Sequence, residues 1–182
     1  MTRLVLSLIV FALAAAAGHM FVLKKTPSVI MNKAMTAMDQ RGVETHGFTL
    51  SPRLTPQTQT VVRPSPDLAY SICLYDFSQG GILHVSAAAY DNYASISFFD
   101  SETNNFATLR VGKNEDNAGK TFRLYPLTHR IPPNFKIADD PMRIDAPTSR
   151  GIILIRRLAP RLTDYERVVS IASADQCRLE TA

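Results

Sequence analysis

Residues 4–23, LVLSLIVFALAAAAGHMFVL, are almost wholly apolar, and this run constrains the chain more than any other feature. As a helix, a run of that length rises about 30 Å, the thickness of the hydrocarbon core of a bilayer. Two readings compete. In a cleaved signal peptide, Arg3 supplies the charged start, Leu4 to Leu13 the apolar stretch and Ala14 to Ala17 the small-residue cleavage site. In a retained signal anchor, the apolar character has a reason to continue past the alanines, as it does through Met20, Phe21, Val22 and Leu23. The continuation favours the anchor, over residues 1–25. Lys24 and Lys25 outweigh Arg3, so a literal positive-inside count places the following domain in the cytoplasm. Long domains translocate largely regardless of such counts, and the start is signal-like. The expectation is therefore a single-pass protein of a bacterial inner membrane with its C-terminal domain in the periplasm. His19 falls near the lipid–water interface, little more than a turn before Lys24.

Beyond the anchor the charge is nearly balanced. The formal net charge of +4 includes Arg3, Lys24 and Lys25, and without them 17 basic residues face 16 acidic ones. A nucleic-acid binder carries a basic face or stripe, and none is visible. An apolar content of 46% over 182 residues supports one core of moderate size plus an appendage.

Residues 26–60 read as a helix and a linker. Thr26 suits an N-cap, Pro27 the first helical position and Gly42 the end. Met31, Met35 and Met38 are packing residues of that helix. Residues 43–62 are polar and Pro/Thr-containing, an extended connection.

From residue 61 to 182 the pattern is β. Short runs rich in Ile, Val, Tyr and Phe recur at 68–77, 81–89, 93–99, 106–111, 121–127 and 151–159, with Gly, Pro, Asn and Asp between them. This spacing predicts an antiparallel sandwich or barrel. A late helix over 163–174 opens with a capping box of Thr163 and Glu166. Its face of Tyr165, Val168, Val169 and Ala172 would lie across an open side of the sheet.

Three blocks carry a resemblance. VVRPSPDLAYSICLYDFS (61–78), NYASISFFDSETNNFATLRVG (92–112) and the closing GIILIRRLAPRLTDYERVVSIASADQCRLE (151–180) resemble the bacterial domain-of-unknown-function 1254 family. Arg63, Pro64, Asp67, Tyr70 and Ser71 match its opening signature, and Asp76 its aspartate further along the strand. Tyr93, Ser95, Phe99, Asp100, Thr103, Asn104, Asn105 and Phe106 match its second block, and Arg156 stands at the arginine of its last strand. GHMFVLKKTP resembles the end of the membrane anchor of short members. Ser65 replaces the usual asparagine, and Leu68 and Ala69 the usual Thr-Leu pair. The resemblance implies a jelly-roll-like β-sandwich, often encoded with or fused to a second domain of the 1214 family, and no settled chemistry. The expected fold is thus a mainly β, jelly-roll-like antiparallel sandwich with an N-terminal transmembrane helix and a C-terminal capping helix.

Candidate site residues are Arg63, Asp67, Tyr70, Asp100, Asn104, Asn105 and Arg156. Asp67, Asp76 and Asp100 could pair as general acid and base beside Tyr70 or Tyr93. The plainer reading makes Arg63 and Asp67 an ion pair or backbone clamp at a Pro-flanked corner, where an aspartate bonds backbone N–H groups. Asp100, Asn104 and Asn105 form a turn, with Asn105 suited to a left-handed conformation, or a site for sugar hydroxyls. They offer too few carboxylates for calcium. Arg156 and Arg157 point to opposite faces of one strand, so one of them can pair with an acid such as Asp76 or Asp100. His46, His84 and His129 are too dispersed for a metal site. Ser71, Ser95 and Ser97 lack nucleophile-elbow glycines, and no phosphate-loop or dinucleotide fingerprint occurs. No cofactor is implied. Cys73 and Cys177 match no metal spacing. They are either a disulfide closing about a hundred residues, worth roughly 4–5 kcal/mol by chain entropy, or two buried thiols.

The sequence therefore points to an envelope protein acting by binding or assembly with a sister domain, such as one of the 1214 type. An enzyme or receptor for a glycan or lipid-like small molecule is the alternative.

Overall fold

The computed structural model describes residues 2–55, 64–127, 140 and 142–181. Helix α1 (Thr2–Asp39) comes first and runs unbroken for 38 residues, about 57 Å at the α-helical rise. No helix starts at Thr26. Pro27 sits inside α1, where it has no N–H to give the Leu23 carbonyl. Thr26 does not cap forward; its hydroxyl donates back to the Val22 carbonyl at 2.7 Å. Leu23 is exposed, so solvent can take up the bond that Pro27 forfeits. α1 has two halves. Leu4 to Leu23 lie fully outside the folded body, and the helix is long and apolar enough to cross a membrane. Met31 and Met35, further on, are buried.

The stretch expected to be a plain linker contributes β1 (Thr49–Leu50), which pairs with the first long strand. The others are β2 (Leu68–Asp76), β3 (Ile82–Ser86), β4 (Ala94–Asp100), β5 (Asn105–Arg110), β6 (Thr121–Pro126), β7 (Arg143–Ala146), β8 (Arg150–Leu158) and β9 (Gln176–Glu180), with α2 (Leu162–Ala172) before β9. They form two packed sheets, ordered β1-β2-β8-β4-β5 and β7-β6-β3-β9. Pairing is antiparallel except between β6 and β7. The chain is a jelly-roll-like β-sandwich with a long apolar helix at one end and a short helix near the other.

Strand alternation builds the core. Cys73 and Tyr75 of β2, Ile153 and Ile155 of β8, and Ile96 and Phe98 of β4 meet Leu83, Val85, Phe122 and Leu124 of the second sheet. A disulfide joins Cys73 to Cys177 of β9 and so ties the two sheets together. Gly151 makes the packing possible in the first sheet, since a side chain there would overlap the Tyr75 hydroxyl and the Phe99 carbonyl. The opposite face of the first sheet is not left bare. Leu74 and Ile152 bury against Met31 and Met35, with Ile72, Phe99, Met38 and Val43 around them. Each well-buried apolar side chain of this kind contributes about 1.5–3 kcal/mol.

α2 starts earlier than the Thr163–Glu166 pattern predicts. Arg161, with extended backbone, is its N-cap. Asp164 accepts from the Arg161 backbone N–H at 3.2 Å and from its guanidinium at 2.9 and 3.0 Å. The packed face is Asp164 and Val168, with Tyr165 and Ala172 half-buried; Val169 points to solvent.

Candidate functional site

The Pro-flanked corner ahead of β2 is held from within. Tyr70 turns its hydroxyl back to accept the Ser65 backbone N–H at 2.9 Å. The Asp67 carbonyl accepts from the Ala159 N–H at 2.7 Å. Asp67 therefore anchors the corner to the end of β8 through its backbone. Its exposed carboxylate takes no hydrogen bond among the described residues. Arg63 lies outside the described residues.

The β4–β5 turn uses up its own aspartate. Asp100 is 4% exposed. Its carboxylate accepts from the backbone N–H groups of Glu102 and Asn104 at 2.8 and 2.9 Å and from the Asn104 side-chain amide at 2.9 Å. Three donors on one carboxylate leave little capacity for a ligand. The left-handed residue of this turn is Thr103, at φ 68°, and not Asn105. The Asp100 carboxylate already fixes the amides of Glu102 and Asn104, so the tight turn falls on the residue between them.

Arg156 and Asn105 are drawn together by residues that carry no obvious chemistry in the sequence. Register sets Arg156 between Tyr70 and Ser95 on the outward face of the first sheet. Its Nη2 donates to Ser97 Oγ at 2.6 Å. Thr108 joins Ser97 at 3.0 Å, and the Asn105 amide bonds Thr108 at 2.9 Å. This chain of hydrogen bonds crosses β8, β4 and β5. The Arg156 Nε is buried without a partner among the described residues. The Tyr70–Arg156 row and the Asp100–Gly151 row lie five residues apart on β8, about 17 Å along a strand. Tyr70, Arg156 and Asp100 thus do not converge on one point.

The partner of the second arginine is neither Asp76 nor Asp100. Arg157 forms a two-pronged pair with Asp175, at 2.9 and 2.6 Å. Asp76 instead meets Arg150 at 3.2 Å. Ala88 completes the Arg157 clasp, its carbonyl accepting from the guanidinium at 3.1 Å and its N–H donating to Asp175 at 2.9 Å.

A further charged group lies on the outer face of the second sheet, where sequence reading placed nothing. Arg123 pairs with Asp140, and the Tyr125 hydroxyl donates to the same carboxylate at 3.2 Å. The Arg143 guanidinium stacks over the Tyr125 ring at 5.2 Å and pairs with Asp145 at 2.7 Å. Burial and the adjacent Asp140 push the Tyr125 hydroxyl up. Burial also raises the Asp140 carboxyl, but the Met142 N–H and Arg123 outweigh it and hold it below the usual carboxylate range. Tyr125 therefore stays protonated and Asp140 charged: a matched clasp with no free base. The signal was the outward Arg123 of a strand followed, after a Pro-rich stretch, by Arg143-Ile-Asp145. Among the described residues no three His, Cys, Asp or Glu side chains gather as a metal site.

A family model described as a protein of unknown function, DUF1254, matches residues 46–179. The chain belongs to the DUF1254 family. The match runs from just before β1 into β9 and leaves α1 outside. No curated protein matches this DUF1254 chain. Among solved structures it is similar to the crystal structure of the VPA0106 protein from Vibrio parahaemolyticus, with a TM-score of 0.59 and 8% identity. That likeness covers 87% of this chain and 36% of the Vibrio protein, so this DUF1254 chain spans little more than a third of its length. At such identity the comparison speaks for the fold alone.

Proposed function

We propose that this DUF1254 chain is a membrane-anchored envelope protein whose sandwich acts by binding or assembly, with a sister domain such as one of the 1214 type as the partner. The observation that carries this reading is the continuity of α1. The helix that is apolar enough to cross a bilayer runs on without a joint and buries Met31 and Met35 against the outer face of the first sheet. A domain clamped in this way is held at one height and attitude at the membrane surface, which suits docking to a second envelope component. The Cys73–Cys177 disulfide supports the periplasmic side, because disulfides persist in oxidising compartments. The candidate residues weigh against a small-molecule site: Asp100 serves its own turn and Tyr70 its own corner.

The test is made in native membranes. A thiol introduced at the exposed Asp116, by Asp116→Cys, should react with an impermeant maleimide in intact spheroplasts. The full-length chain, extracted in mild detergent, should migrate as a complex with a stoichiometric second envelope protein. Labelling only after lysis would overturn the periplasmic placement, and a monomer free of partners would overturn the assembly role.

A further inference from the structure

A cleft lies where α1 meets the β4–β5 turn. Leu23, Lys24, Lys25, Pro27 and Ser28 line one side, Glu102 and Asn104 the other, and its volume is about 500 Å³, within the range of small-molecule sites. Its height is set by the helix. With residues 4–23 in hydrocarbon, Leu23 marks the edge of the apolar layer and Lys24 and Lys25 fall at headgroup level. This rests on the membrane-anchor reading. Pro27 and Ser28 are where α1 first loses exposure to the sandwich, so the β4–β5 turn is brought down to that same level. Among the described residues Lys24, Lys25 and Glu102 form no ion pair. The cleft thus offers two ammonium groups, one carboxylate, the Asn104 side-chain carbonyl, whose amide N–H is held by Asp100, and the apolar side chains of Leu23 and Pro27.

We infer that this cleft seats the headgroup of an aminophospholipid, with the phosphate toward Lys24 and Lys25 and the primary ammonium toward Glu102 and Asn104. A primary ammonium donates hydrogen bonds to the Glu102 carboxylate and the Asn104 carbonyl. The quaternary ammonium of a choline headgroup has no N–H to give. A glycerol headgroup satisfies the lysines but brings no cation to the Glu102 carboxylate.

The experiment uses the full-length chain in vesicles of phosphatidylcholine, phosphatidylethanolamine and phosphatidylglycerol in equal parts. Flotation after an alkaline wash reads membrane insertion. Native mass spectrometry of chain released in mild detergent reads the lipid retained. The expected result is a floating chain that retains phosphatidylethanolamine over the other two by about three- to fivefold, the scale of an exposed ion pair. Glu102→Gln removes the preference and leaves flotation intact; Lys24→Gln with Lys25→Gln removes retention of all three lipids. All three side chains are exposed, so these variants fold. A floating chain with no preference, a preference for phosphatidylglycerol, or a preference that survives Glu102→Gln overturns the inference and leaves the anchor reading standing. A chain washed off the vesicles overturns both.

Discussion

Arg157 on β8 and Asp175 after α2 face each other through two hydrogen bonds with side chains 1% and 0% exposed. The pair fixes the end of α2 and the β3–β4 connection, through Ala88, onto the middle strand of the first sheet. Removing one member leaves an uncompensated charge in the interior. Asp175→Ala should therefore cost about 3–5 kcal/mol, seen as a lowered midpoint in urea unfolding of the detergent-solubilised chain. Arg157→Met combined with Asp175→Leu should recover much of that loss, because it removes both charges together. Recovery no better than the single variant would mean that the clasp on Ala88, and not charge burial, is what Asp175 supplies.

The Met31–Met35 contact with Leu74 and Ile152 sets where a soluble fragment can begin. A fragment starting at residue 43 looks natural from the sequence, because 43–62 reads as a linker. It would strip the cover from Leu74 and Ile152 and expose an apolar patch on the sheet, a recognised cause of association. A fragment from Thr26, which keeps the packed half of α1, should be monomeric in size-exclusion chromatography. The fragment from residue 43 should aggregate or lose several kcal/mol, since each buried methionine contributes about 1.5–3 kcal/mol. Equal behaviour of the two fragments would show that the helix merely rests on the sheet.

The difference between those two fragments also marks what the sequence made legible. The strands β2 to β6 and β8 were readable because apolar alternation and Gly, Asn and Asp breaks dominate locally. β7 and β9 were not. Arg143-Ile-Asp-Ala and Gln176-Cys-Arg-Leu-Glu are short, half charged, and become strands by pairing with β6 and β3. Pro27 signalled a helix start by local rules, and only the packing of Met31 and Met35 explains why α1 continues through it. Alternation on β8 showed that one of Arg156 and Arg157 points inward, but choosing between them needs Asp175, which tertiary packing alone brings there. Asp100 looked like chemistry and proved to be turn geometry, because the hydrogen bonds that occupy it come from backbone groups the sequence does not show.

Asp140 gives the chain an acid limb. Its folded carboxyl titrates below its unfolded value, held there by the Met142 N–H and Arg123 against the opposing effect of burial. Stability from this group is present above the unfolded carboxylate range, near pH 4. It is lost as pH falls through the folded pKa. Asp164, held low by Arg161, acts in the same sense. Between pH 5 and pH 3 the urea midpoint should fall, and the fall should be shallower in Asp140→Asn. The variant starts from lower stability at pH 7, because Arg123 has lost its partner. A slope unchanged by Asp140→Asn would assign the acid limb to other carboxylates.

The Cys73–Cys177 bond closes 104 residues and crosses the core between the two sheets. A cross-link over a loop of this size lowers unfolded-state entropy by an amount worth about 4–5 kcal/mol. Cys73→Ser should lower the urea midpoint by a large fraction of that figure, and the double variant Cys73→Ala with Cys177→Ala somewhat less, since it adds no buried hydroxyl. Both cysteines are buried, so the native protein should resist dithiothreitol and become reducible only as urea opens the sandwich. Rapid reduction under native conditions, read by mass after alkylation, would mean that the sheets separate far more readily than this packing implies.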